Sequence, residues 1–285
     1  MEEKAPSLKR TGQKNHIVQY SLFLLLVVLS ALWLIPFYIL MVNSFKEKDI
    51  EITGFPLNLP ENFSVINFIE GIAETSLFNA AVFSLIVTVG SVTLIVLFSG
   101  IAAWMLVRVK GTVSTIIFFT FVAAMLVPFQ SVMFPMVRIA SALGLLNPIG
   151  IMFIYMGFGS SLSIFLFHGF IKGIPFELEE AATIDGCNPL QAYLYVVFPM
   201  LKPISITVAI LNTLWIWNDF LLPSLILSEE YATIPMAINL RLVNTYSVEW
   251  GLMLANLVVA IAPVIIFYFI LQRFIIEGIT AGSIK

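Results

Sequence analysis

Charge is scarce in this chain. Asp, Glu, Lys and Arg make up 11% of its 285 residues, against about 25% in a typical soluble domain. With 60% hydrophobic residues and a mean hydropathy of +1.01, there is too little polar surface to cover a water-soluble globule. The composition is that of an integral membrane protein. Cysteine is nearly absent: Cys187 stands alone, so no intrachain disulfide forms. With no neighbouring His it reads as an ordinary small residue rather than a reactive thiol. The two histidines, His16 and His168, lie far apart, and no His or Cys pair has metal-ligand spacing. The basic residues are scattered, which excludes a nucleic-acid footprint. No G-x-x-x-x-G-K-[ST] phosphate loop occurs, so the chain has no nucleotide engine of its own. No polar stretch is long enough to build an enzyme's core. The chain is expected to be no catalyst and to bind no cofactor or metal.

Long apolar runs are what remains. A bilayer core of roughly 30 Å needs about 20 apolar residues per helix. Six segments qualify: Ile17–Val42, Leu77–Leu106, Thr112–Val137, Pro148–Ile171, Ile204–Leu227 and Gly251–Gln272. Strand-type alternation is absent, which argues against a β-barrel. The first run exceeds the roughly 7–15 residues of a signal-peptide core, and no small-residue cleavage site follows it. The expected fold is all-α, a polytopic bundle of six transmembrane helices over 17–272, with terminal tails over 1–16 and 273–285.

Basic residues set the expected orientation. If the N-terminus is cytoplasmic, inside segments hold Lys4, Lys9, Arg10, Lys14, Arg108, Lys110, Lys172, Lys202, Arg273 and Lys285. Outside loops then hold Lys46, Lys48, Arg138 and Arg241. This distribution, ten against four of the 14, puts both termini and the loop 172–203 inside.

That loop is a polar island between apolar spans. Pro175-Phe176 opens a helical stretch, and Glu177, Glu179 and Glu180 suit the positive end of its dipole. Leu178, Ala181, Ala182 and Asp185 follow i, i+3, i+4, i+7 spacing. The adjacent alanines read as a low-relief face for close approach, and Gly186 permits a sharp turn. Asn188-Pro189 reads as N-cap and N1 of a second short helix. Phe198-Pro199 and Lys202-Pro203 then redirect the chain. On the residues alone, a plain connector and a docking device are both open.

The pattern Glu180-Ala181-Ala182, Gly186 and Pro199 resembles the E-A-A-x-x-x-G…I-x-L-P loop of membrane subunits of ATP-binding-cassette importers. Val196 and Phe198 replace its Ile and Leu. Asp185, the run Trp217-Asn218-Asp219-Phe220 and the tail Gly278-Ile279-Thr280-Ala281-Gly282-Ser283-Ile284-Lys285 resemble the carbohydrate, maltose-type subclass. The resemblance covers the chain from the first span to the tail. It implies a type I importer permease fold and a place in a bacterial or archaeal cell membrane. It also implies that the island, with Glu180, Ala181, Ala182, Asp185 and Gly186, docks on a cytoplasmic ATPase dimer. ATP and Mg would be held by that ATPase. The other implied partners are a second permease subunit and an extracytoplasmic solute-binding protein, and the implied cargo is a sugar, an oligosaccharide by subclass.

Other residues carry double readings. Asp219 is costly in lipid and must face protein or water; Asn218-Asp219 reads either as a translocation path or gate, or as a helix–helix hydrogen bond. His168 reads as an interfacial residue. The last outside loop, Ser228 to Trp250, is amphipathic, and the resemblance implies that Pro235, Met236, Asn244 and Tyr246 contact the binding protein. A lone interfacial helix is the other reading. Trp215, Trp217 and Trp250 suit an interface belt or sugar stacking. Two rival classes stand beside the importer: a self-contained secondary transporter and a structural or assembly membrane protein. Ionisable groups within spans are few, which is thin equipment for ion coupling.

Overall fold

The computed structural model describes residues 16–242 and 248–283, with side chains over 18–240 and 248–270. Among the described residues the helices run α1 His16–Ser44, α2 Asp49–Gly54, α3 Ile66–Glu74, α4 Leu77–Arg108, α5 Thr112–Ala124, α6 Phe129–Ala142 and α7 Pro148–Ile171. They continue with α8 Glu177–Ile184, α9 Pro189–Ala192, a π turn Tyr193–Val197, α10 Phe198–Met200, α11 Lys202–Trp217, α12 Leu221–Ile226, α13 Ile234–Leu242 and α14 Trp250–Ser283. Among the described residues an isolated bridge pairs Lys46 with Phe63.

Four apolar helices, within α1, α4, α7 and α14, are long enough to cross a bilayer unbroken. Among the described residues, counting each of two bent pairs as one span brings the number to six. The expected third span, Thr112–Val137, is not one helix: α5 and α6 meet at 108°. Pro128, at φ −62 and ψ 134, is the cause. A proline disfavours helical geometry in the residue before it and donates no N–H. The end of α5 tightens into i→i+3 bonds, Met125 to Val122 and Leu126 to Ala123. The expected fifth span, Ile204–Leu227, is broken too. It starts at Lys202 after a 75° bend, and its helix stops at Trp217. There the Asp219 carboxylate accepts from Leu221 N at 3.0 Å, a local bond that competes with the helical ladder. The sixth span runs without a break past 272 to Ser283.

The core lies where α4 crosses α7. Val87, Ile95, Ile151, Tyr155, Ile164, Phe167 and Ile171 are buried there, with Val208 and Ile216 of α11. Glycine makes the crossing close. A Cβ on Gly159 would meet Ile95 Cδ1 at 2.6 Å and Asn212 Oδ1 at 2.7 Å. Overpacking of this kind costs about 1–3 kcal/mol, more for a larger group. We expect Gly159→Leu to cut the amount of folded protein recovered from membranes, measured by detergent-resistant monodispersity, with Gly159→Ala milder.

By contrast, the apolar window of α1 buries nothing within this chain. Its Leu, Phe and Trp side chains, Trp33 and Tyr20 foremost, face outward as in lipid.

Contacts sort the connections onto two ends. At one end, the 108–111 turn meets the loop 172–203. At the other, the segment after α1 is knitted to α14. Asn67 donates to Ser44 O and Lys46 O, at 3.1 and 2.7 Å, and Asp49 accepts from Gly251 N at 3.2 Å. Fully buried Lys46 donates to Phe55 O at 2.6 Å, just past the C-terminus of α2. The partial negative charge of a helix C-terminus favours a cation there.

Candidate functional site

The loop 172–203 is built as a helix, a turn and a second helix. The helix α8 has its three glutamates in the first turn. It ends in a paired C-cap: Cys187 N donates to Ala182 O at 2.9 Å and Gly186 N to Thr183 O at 3.0 Å. This motif needs a left-handed residue at the position that Gly186 fills with φ +91. The next helix opens with a capping box, as expected from Asn188-Pro189. Asn188 Oδ1 accepts from Gln191 N and Gln191 Oε1 accepts from Asn188 N, both at 2.9 Å. The redirection falls later than expected. Phe198-Pro199 continues the helical path after the π turn, and the 75° bend comes at Leu201, before Lys202-Pro203.

The faces of α8 are assigned differently from the sequence reading. Glu180, Ala181, Asp185 and Gly186 are exposed. Ala182 is not part of that outward surface; it is buried, on a helix that packs against the second helix of the same loop. The alanine pair therefore splits, Ala181 outward and Ala182 inward, because adjacent helical residues point about 100° apart. Ile184 joins the outward side at 86% exposure, and Leu190, Leu194 and Tyr195 of the following helix are exposed as well. Apolar side chains left open on an otherwise charged loop mark a contact surface.

The sequence reading missed the inward anchor. Glu179, only 5% exposed, accepts from Arg108 Nε at 2.8 Å and pairs with Arg108 Nη2 at 2.7 Å. Its other oxygen accepts from Trp104 Nε1 at 2.9 Å. Arg108 also donates to Ile174 O at 3.1 Å and lies over the Phe176 ring. Trp104 and Arg108 stand one turn apart on α4, so they share a face. Removing one partner of such a buried pair strands a charge, at a cost of roughly 3–5 kcal/mol. A lone arginine closing one span and a three-glutamate helix start were the available signals, but only the fold brings them together.

Asp219 sits in the α11–α12 break. Its Oδ2 accepts from Tyr155 Oη at 2.9 Å, a bond from α7 to the break. Asn218 is exposed and lines a cavity of about 370 Å³ with Trp217, Phe220, Pro235 and Asn239. Pro235 is half-buried there, whereas Met236 is 3% exposed and belongs to the core. In this chain α13 turns Met236 toward the bundle, where it packs in the core. Asn244 and Tyr246 lie outside the described residues. Trp215 borders a larger, mostly apolar cavity of about 930 Å³ between α5, α6, α7 and α11. His168 is buried and stacks on Phe118 at 3.8 Å.

Fold and site together define a multi-span helical membrane protein with an exposed helix–turn–helix loop at one end. The chain belongs to the family of binding-protein-dependent transport system inner membrane components, whose model matches residues 95–280. It is 44% identical over 274 residues to the "Probable starch degradation products transport system permease protein AmyC" of Thermoanaerobacterium thermosulfurigenes, covering 96% of this chain and 99% of that one. It is 33% identical to the "Multiple sugar-binding transport system permease protein MsmG" of Streptococcus mutans, over 98% and 100% of the two chains. A chain of a solved bacterial ABC transporter involved in importing the acidic polysaccharide alginate superposes with a TM-score of 0.79 at 22% identity, over 94% of this chain and 99% of that one. The fold is thus that of an ABC importer permease. The chain is a multi-pass transport component and not an enzyme, and the secondary-transporter and assembly readings fall.

Proposed function

We propose that this chain is one of two permease subunits of an ATP-driven sugar importer, with oligosaccharides as cargo. A second permease completes the path, an external solute-binding protein delivers the sugar, and an ATPase dimer on the cytoplasmic side holds ATP and Mg. Both termini and the loop 172–203 then lie in the cytoplasm, in accord with the distribution of Lys and Arg. One observation carries the reading: the outward face of Glu180, Ala181, Ile184, Asp185 and Gly186, open on a helix whose other face is locked to its own bundle. The missing phosphate loop gives that face a reason to bind. The names of the relatives, which speak of starch degradation products and multiple sugars, support the cargo class.

In this reading ATP binding moves the docked helix, and the permease passes between two states biased by that movement. At the opposite end, Asn218 offers an amide to the passing sugar beside Trp217 and Phe220. Asp219 holds the helix break that presents it. Pro235 lies on the side that the binding protein meets.

Gentle detergent purification tests the assembly. An ATPase chain and a second permease should co-purify with this one. The complex, reconstituted in proteoliposomes, should take up malto-oligosaccharide only with internal ATP and external binding protein. Ion-driven uptake by this chain alone would overturn the proposal.

A further inference from the structure

The docking reading leaves one step unassigned: how a displaced α8 moves the spans. On its own, α8 is too short to hold a place. Isolated helices of fewer than about 12–15 residues are marginal in water, and α8 spans Glu177–Ile184. It is flanked by Gly173 and by Gly186 at φ +91, so the backbone alone gives it little leverage. Its position is set by what Glu179 grips.

Two contacts do the gripping, and both land on the last turns of α4. The first is Glu179, held by Arg108 Nε and Nη2 at 2.8 and 2.7 Å and by Trp104 Nε1 at 2.9 Å. The second is Tyr193, whose ring centroid lies 5.1 Å from that of Trp104. Its buried hydroxyl stands 2.8 Å from where a Cβ on Gly100 would be. Tyr193 belongs to the π turn, an insertion often found at functional sites. Trp104 thus touches both halves of the loop.

The helix so gripped runs through the bundle's core. From Leu77 to Arg108, α4 spans about 48 Å at 1.5 Å per residue. Near its far end Ser84 Oγ accepts from Ile234 N at 2.8 Å, at the start of α13. That helix borders the cavity that Asn218 lines.

We infer that Arg108, Glu179, Trp104 and Tyr193 form a clamp that transmits movement of the docking helix into α4, and through Ser84 to α13 at the opposite end. This inference rests on the docking reading. In it Glu179 and Arg108 are positioning residues: they touch no ATP and no sugar, and they make α8 and α4 move as one body.

The test uses the assembled complex in proteoliposomes and reads three quantities: ATPase subunit retained, ATP hydrolysed, and sugar taken up per ATP. The variants are Glu179→Gln, Arg108→Gln, the double variant, and Trp104→Phe. Retention and hydrolysis should persist while uptake per ATP falls about tenfold, within the roughly 5–150-fold range of allosteric couplings. The double variant should lose no more than the worse single, because the pair acts as a unit. A merely structural pair would instead lower the amount of complex and leave the ratio of uptake to ATP unchanged. An unchanged ratio overturns the clamp, and so does loss of the ATPase from the variants. If the charge variants fail to accumulate, Trp104→Phe decides alone. It keeps an aromatic ring against Tyr193 but removes the pyrrole half of the indole with its N–H to Glu179; a lowered ratio supports the clamp and an unchanged one overturns it. A wild-type complex that retains no ATPase sinks the docking reading itself, which is a separate outcome.

Discussion

Gly186→Asp should reach the membrane in normal amount, fold, and carry no detectable uptake. In this chain alone the substitution meets no obstacle, since a Cβ at Gly186 has nothing within 4 Å. Its intrinsic cost is backbone strain. At φ +91 a side-chain-bearing residue sits in a sparsely populated region, worth about 1–3 kcal/mol. Asp tolerates left-handed geometry better than most residues. That penalty falls on an exposed loop joint, outside the core that determines insertion.

The large effect arises at the docking surface. The mutation puts an unpaired carboxylate at the joint where α8 presents Asp185 and Ile184. Stranding a charge in an interface costs 2 kcal/mol or more, roughly thirtyfold in affinity or beyond. Gly186→Ala brings strain without charge and should fall between the two. The measurement is sugar uptake in cells, normalised to the amount of this chain in the membrane. Normal uptake by Gly186→Asp would count decisively against docking at this loop.

Much of this architecture was legible because membrane spans are written in hydropathy. Four of the expected spans, Ile17–Val42, Leu77–Leu106, Pro148–Ile171 and Gly251–Gln272, fall within unbroken helices. The breaks were harder. Hydropathy does not register the geometry imposed by Pro128 on α5 and α6. Nor does it reveal that Asp219 spends one oxygen on Leu221 N to end α11. In the loop 172–203 the caps were local, so Asn188-Pro189 and Gly186 could be read one residue at a time. Glu179 could not. Its partners are 71 and 75 residues away, and no local rule separates it from the exposed Glu180 beside it. The inward turn of Ala182 was hidden for the same reason: a face can be recognised as distinct before it is known which way it points. Met236 illustrates the limit at the other end, because an amphipathic loop does not declare which of its residues the bundle buries.

Asp219 separates a holding role from a role in the path, and the expected results differ. Asp219→Leu removes two bonds at once. Tyr155, fully buried in α7, loses the acceptor for its hydroxyl, and Leu221 N loses its cap. Each stranded polar group costs about 1–3 kcal/mol, so this single change should sharply lower both the thermal midpoint and uptake. Tyr155→Phe strands less, because the Asp219 carboxylate is only half-buried and still serves Leu221. The double variant Tyr155→Phe/Asp219→Leu is the informative one. Replacing both partners of the Tyr155 bond with apolar groups is often nearly neutral, so the thermal midpoint should recover the share owed to Tyr155, while the share owed to the uncapped Leu221 N stays lost. Uptake should recover in the same proportion, because Asp219 acts by fixing the break from which Asn218 faces the cavity. A double variant that is thermally restored yet inactive would place the Asp219 carboxylate itself on the sugar's path. Asn218→Leu should then be compared at the same stability. It removes an exposed amide whose Nδ2 donates to Leu214 O at 2.7 Å, so it should lower uptake while leaving the midpoint near that of the wild type.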